Sequence, residues 1–139
     1  MDEAIHGPSL LTEEDIRLLK QGNHFRLHDK LGAHVIRHDG RAGTLFSVWA
    51  PGAAGVSVIG DFNGWNPEAH QLAVRWDGSG IWEGFIPEAD AGSLYKYRIK
   101  PQGAGAPFDK ADPFASFFET PPGTSSKVWN LEYLSLIHI

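Results

Sequence analysis

The hydrophobic pattern changes period near residue 33. Before that point apolar positions recur at helical spacing. Ile16, Leu18 and Leu19 form a stripe behind Thr12, a good N-cap, and Glu13, Glu14 and Asp15 fill the first turn, where carboxylates favour the positive end of the helix dipole. Gly22 stands where a C′ glycine ends a helix, and Asn23 opens a second, shorter one through Phe25, Leu27 and Leu31 that Gly32 ends. The spacing predicts a helical lead-in over residues 1–32. From 33 to 133 the period is two. Short β-branched and aromatic runs predict strands at 33–37, 44–50, 56–60, 72–76, 81–86, 94–100, 108–111 and 127–129, with Asp39-Gly40 and Asp77-Gly78 as turn pairs. Such strands, punctuated by glycine and proline, predict an all-β antiparallel sandwich.

Two kinds of strand stand out. In 94–100, Tyr95, Tyr97 and Ile99 fall on one side and Lys96, Arg98 and Lys100 on the other, which describes a strand with one wet face. Segments 45–49 and 81–86 are instead apolar on both faces, Glu83 excepted. A strand covered on one side alternates more clearly, so these should meet something on their second face: the N-terminal helices or a neighbouring domain. Taken with Asp112, Pro113 and Phe114, they predict an apolar face left open on the sandwich. The tail 134–139 is apolar without a matching pattern and is read as non-native sequence.

Composition narrows the partners. The 139 residues suit one domain, with 17 acidic against 12 basic residues and a net charge of −5. No dense Lys/Arg cluster breaks that balance, which argues against a nucleic acid or an anionic membrane as partner. The chain has no cysteine, so disulfides, thiolate metal sites and a cysteine nucleophile are excluded. The acidic start Met1-Asp2-Glu3 has no apolar run behind it, and no segment reaches membrane-span length, which fits a cytoplasmic protein without a secretory signal.

Candidate chemistry is sparse. His24 and His28 have an i, i+4 spacing that can chelate zinc, but no third ligand is evident and they read as the outer face of a short helix, as do His34 and His38 beside a strand. Asp61, Asp77, Asp109 and Asp112 fall near strand ends, where aspartate caps backbone amides more often than it pairs for sugar cleavage. No phosphate loop or nucleophile elbow is present, so no catalytic residue, metal or cofactor is expected. The tryptophans are more informative, because a neutral polysaccharide offers C–H faces and hydroxyl edges to an aromatic platform ringed by donors. Trp65 follows Asn63-Gly64 in a turn-rich stretch, with Asn63 and Asn66 beside it. It stands either at the loop tip or folded beneath it. Trp49, Trp76, Trp82 and Trp129 lie within predicted strands and read as core.

These residues carry a family likeness. Leu31-Gly32-Ala33-His34, Phe46-Ser47-Val48-Trp49-Ala50-Pro51, the run from Val56 to Trp65, Gly80-Ile81-Trp82-Glu83, Leu94-Tyr95-Lys96-Tyr97 and Lys110-Ala111-Asp112-Pro113-Phe114-Ala115 resemble, in order, the N-terminal family 48 carbohydrate-binding module of bacterial glycogen branching enzymes. The resemblance implies an immunoglobulin-like sandwich from a cytoplasmic enzyme that cuts an α-1,4-glucan and rejoins it through an α-1,6 bond. Its catalytic (β/α)₈ barrel of ~250 residues would lie beyond residue 133, leaving this chain without activity of its own. By the same resemblance Trp65 and Lys96 form a stacking platform and its ammonium donor, with Asn63 beside them. Lys110, Asp112, Pro113 and Phe114 belong to a segment that packs against the barrel. The hairpin 101–106 has no aromatic where the best glycogen-binding relatives place a second tryptophan, so binding of α-glucan is expected to be weak. That gap also argues against an autonomous glycogen-targeting module, and the Leu31–His34 entry and the Trp65 loop favour branching over isoamylase-type debranching.

Overall fold

A computed structural model describes residues 9–21, 31–38, 40–89, 92–103, 105–112, 117–118 and 125–128. Helix α1 (Glu13–Lys20) forms behind Thr12. Its start is closed reciprocally: the Asp15 amide donates to Thr12 Oγ1 at 3.2 Å and the Thr12 amide to Asp15 Oδ2 at 2.9 Å. The second helix expected through 31 falls, except for Leu31, outside the described residues.

The strands are β1 (Gly32–His38), β2 (Arg41–Trp49), β3 (Ala53–Gly60), β4 (Ala73–Val74), β5 (Ile81–Ile86), β6 (Leu94–Pro101), β7 (Phe108–Lys110), β8 (Phe117–Phe118) and β9 (Ser126–Lys127). They build two antiparallel sheets, ordered β1-β2-β5-β4 and β3-β6-β9-β8, with β7 also paired to β6. The expected strand at 72–76 shrinks to two residues because the chain changes sheets there. Gln71 still bridges Ser57 of β3, while Ala73 and Val74 already pair with β5. β8 is too short to show alternation, and the sequence pattern does not predict it.

The inward residues Phe46, Val48 and Ile86 of the first sheet meet Val56, Val58, Tyr95, Tyr97 and Ile99 of the second. The outward face of the first sheet corrects an expectation. Leu45, Ile81 and Phe85 alternate with the inward residues of β2 and β5, yet each is fully buried. Leu11, Ile16 and Leu31 pack on Ile81, so the N-terminal segment covers the face there, while Trp49 at the end of β2 stays exposed. Glu83, the polar exception in β5, is buried there with partners. It accepts from Ser9 Oγ at 2.7 Å, Ser47 Oγ at 3.2 Å and Arg75 Nη1 at 2.9 Å. Arg75 also donates from Nε to Asp77 Oδ2 at 3.0 Å. Burial works against its charge, and the Glu83 and Asp77 bonds more than offset that, raising the guanidinium above its usual range.

A second correction concerns the tryptophans. Trp49 and Trp76, expected in the core, are 51% and 86% exposed. Trp49 ends β2 on the outward side, its indole N–H tied to Ser79 O at 3.1 Å. Trp76 lies past β4, where Arg75 takes the buried position and stacks its guanidinium 4.6 Å from the Trp76 ring centroid. Trp82 does pack against the core, donating to Ala50 O at 3.2 Å, and Trp129 lies outside the described residues.

Candidate glucan-contact site

The loop after β3 is built to hold Trp65 outward. Gly60 ends the strand at a close approach to β6, where an added Cβ would come within 2.5 Å of Leu94 O and of the Phe62 ring. A 3-10 turn, Asp61–Asn63, follows, and Gly64 leaves it with φ 65°. The Trp65 amide then donates back to Gly60 O at 2.9 Å, the six-residue closure of a Schellman turn. Asp61 ties the turn to β6 by accepting from the Leu94 amide at 3.1 Å. Phe62 fills the inward slot, stacked on Phe46 at 6.2 Å between centroids and tilted against His70 at 5.6 Å. With that slot taken, the Trp65 ring stays outside, 39% exposed.

Asn63 belongs to the framework of this loop. Its Oδ1 accepts from the Gly60 amide at 3.0 Å, and its Nδ2 donates to Val58 O at 2.9 Å and to His70 Nδ1 at 2.8 Å. Both amide hydrogens are thereby spent inside the protein, so Asn63 shapes the platform and has no donor left for a sugar. His70, fully buried, carries no mark in the sequence, because it comes from a coil segment with no period to set it apart. Its Nε2 faces Glu88 Oε2 at 3.9 Å.

Trp65 itself has φ 62°, in the left-handed region that a bulky side chain adopts only at a cost of ~1–2 kcal/mol. Backbone strain of this kind persists where its surroundings impose it, and it concentrates at functional positions. The expected signature is an inverted preference. Trp65→Gly should be more stable than Trp65→Ala by about 1 kcal/mol, both having lost the ring, whereas in an ordinary extended or helical position alanine would be the better residue. Chemical denaturation of the two variants checks this; equal midpoints would show that the position is unstrained.

Lys96 stands one register step in from the loop, opposite Ile59, on the outward side of β6. The predicted alternation holds, with Tyr95, Tyr97 and Ile99 buried and Lys96 and Arg98 partly exposed. The structure thus sets Trp65 and Lys96 at the same end of the second sheet. The other predicted segment lies beside the same strand, with Lys110 opposite Tyr97. Lys110 is exposed on β7, Asp112 is buried, and Pro113 and Phe114 lie outside the described residues. Each of the four aspartates considered for sugar cleavage holds a neighbouring group in place. Asp61 binds the Leu94 amide, Asp77 binds Arg75, Asp109 binds Arg98, and Asp112 binds two tyrosine hydroxyls. Among the described residues no cluster of three or more His, Asp or Glu side chains is placed to hold a metal, and no helix is long and apolar enough to cross a membrane.

Residues 30–115 match carbohydrate-binding module 48, the isoamylase N-terminal domain. The chain belongs to this family. It is 50% identical over 125 residues to a 1,4-alpha-glucan branching enzyme GlgB of Aquifex aeolicus, covering 90% of this chain and 20% of that protein. A GlgB of Myxococcus xanthus is 50% identical over 121 residues, 87% of this chain and 16% of the relative. This module therefore spans about a fifth of the length of the curated relatives it matches. Among solved structures, a maltotriose complex of PulA from Klebsiella pneumoniae superposes with a TM-score of 0.60 at 24% identity, over 77% of this chain and 11% of that one, which supports the fold. The family match contains Asn63, Trp65, Lys96 and the segment from Lys110 to Phe114.

Proposed function

We propose that this module belongs to a cytoplasmic 1,4-α-glucan branching enzyme of glycogen synthesis, where it contacts α-glucan weakly through Trp65 and Lys96 and supports a catalytic barrel carried elsewhere in the longer polypeptide. The likeness to branching enzymes over most of the chain supports the enzyme assignment. The observation that carries the glucan contact is Trp65: a large aromatic ring, held outward in an unfavourable backbone conformation by a loop whose other side chains are committed to internal bonds. Such a ring offers a face for the C–H side of a pyranose, and the Lys96 ammonium supplies donors to its hydroxyl edge. A single ring gives an affinity no better than about millimolar for a short maltooligosaccharide.

The segment leading from β7 is the part proposed to face the barrel, with Lys110 on its surface and Pro113 and Phe114 following. Asp112 serves it from inside, anchoring the segment to β6. Bond cleavage and transfer fall to the remainder of the enzyme. The glucan assignment is tested by co-sedimentation with glycogen. The parent should be retained on the polymer, Lys96→Ala should bind several-fold more weakly, and Trp65→Ala should remain in the supernatant. Retention of Trp65→Ala at the parent level would remove the platform from the account.

A further inference from the structure

Beside the Trp65 platform the outer face of the second sheet opens into a cleft of about 380 Å³, within the range of small-molecule sites. Strand register lays its floor. Ser57 stands opposite Arg98 and Gly55 opposite Lys100, so small groups on β3 alternate with cations on β6. One wall continues the Trp65 loop through Pro67, Glu68 and Gln71, and the other is Pro107, between β6 and β7. Gln71 is fixed against the floor by its bridge to Ser57. Platform and cleft adjoin. Pro67 comes two residues after Trp65, and Lys96 precedes Arg98 by two residues on the same face of β6, about 7 Å along the strand.

We propose that this cleft is a second α-glucan subsite, taking the glucosyl residues that follow the one stacked on Trp65. The inference rests on the Trp65 reading above. The lining suits a neutral polyhydroxyl ligand and disfavours others. Pro67 and Pro107 line the cleft with apolar rings suited to the C–H faces of a pyranose, while Gln71 and Glu68 on the wall and Lys100 on the floor supply both acceptors and donors for its hydroxyls. Arg98 is bound to Asp109 through Nε and Nη2, which leaves further guanidinium N–H groups. A phosphate or carboxylate ligand would meet Glu68 in the wall and a guanidinium already neutralised by Asp109. A planar aromatic ligand would find no ring to stack on, since no aromatic side chain lines the cleft among the described residues. Without a second ring, this subsite acts by hydroxyl recognition, and its contribution grows with the length of the glucan rather than with the strength of stacking.

The test is titration calorimetry at millimolar ligand with maltotriose and maltoheptaose. Two variants address the cleft. Gln71→Ala combined with Lys100→Ala removes polar partners at exposed positions, and Gly55→Phe plugs the floor. An added Cβ at Gly55 meets only Lys100 Cβ, at 3.8 Å, so a larger side chain fits there without displacing backbone. The parent should bind maltoheptaose about tenfold more tightly than maltotriose, and both cleft variants should reduce that ratio to about twofold, the greater loss falling on maltoheptaose. Parent-like circular dichroism melts show that the variants are folded. If both folded variants keep the full length dependence, the subsite is overturned and the Trp65 platform stands. If the cleft variants lose binding while Trp65→Ala does not, the platform falls and the cleft stands. A parent that binds neither sugar overturns both.

Discussion

Arg75→Ala should cost the domain about 3–5 kcal/mol, enough to leave a module of ordinary stability partly unfolded at 25 °C. The reason lies in what remains. Arg75 is 8% exposed and its guanidinium holds Glu83 Oε1 at 2.9 Å and Asp77 Oδ2 at 3.0 Å, and Nη1 also donates to Ser9 Oγ at 2.8 Å. Removing the cation strands the Glu83 carboxylate under the N-terminal segment with only Ser9 and Ser47 to solvate it. The double variant Arg75→Met with Glu83→Leu removes both charges and should recover most of the loss, because a buried ion pair contributes little beyond its apolar replacement. Urea denaturation of Arg75→Met, Glu83→Leu and the double measures the coupling. A single variant as stable as the parent would mean that this network is solvated.

The second large effect is alkaline unfolding. Asp112 is fully buried and accepts from Tyr95 Oη at 2.6 Å and Tyr97 Oη at 3.1 Å, while its own amide donates to Ser126 Oγ at 2.8 Å. Burial first, and then the Asp112 charge, push both phenols far above their ordinary value of about 10. The folded state therefore keeps its phenol protons at a pH where the unfolded chain has released them. The stabilisation from neutral tyrosines is fully present below pH ~10 and is lost as pH rises beyond it, by about 1.4 kcal/mol per pH unit for each tyrosine. Stability measured from pH 9 to 12 should fall steeply in the parent, and Tyr97→Phe should remove about half of the tyrosine slope. An unchanged slope in Tyr97→Phe would show that this phenol ionises freely. Asp112→Ala, which strands two buried hydroxyls, should cost about 2–6 kcal/mol at neutral pH, since each unsatisfied group costs ~1–3 kcal/mol.

Much of this fold could be read from periodicity, and the exceptions have identifiable causes. β6 was legible because Tyr95, Tyr97 and Ile99 alternate with Lys96, Arg98 and Lys100 against one buried face. β5, apolar on both sides, announced cover on its second face but left two candidates, the N-terminal helices or another domain, since Leu11, Ile16 and Leu31 reach it from far along the chain. Trp76 was misplaced because hydrophobicity predicts burial only when the backbone turns the residue inward, and here the neighbouring Arg75 satisfies buried carboxylates instead. At the site, Trp65 was legible as a turn residue but not as an exposed one. Its exposure depends on Phe62 taking the inward slot, a tertiary fact that no local pattern carries. Asn63 was visible by its type, and its use as loop framework rather than sugar ligand follows from His70, an isolated histidine whose position in space the sequence does not reveal.

The claim that this module meets α-glucan at Trp65 is tested most directly by the indole N–H signals of an NMR titration with maltoheptaose. Three tryptophans are well exposed among the described residues, Trp49, Trp65 and Trp76, so the spectrum contains its own controls. The account predicts that the Trp65 signal shifts progressively and saturates, while those of Trp49 and Trp76 stay in place. A titration that moves Trp49 or Trp76 and leaves Trp65 unchanged would put the glucan on a different face and contradict the account.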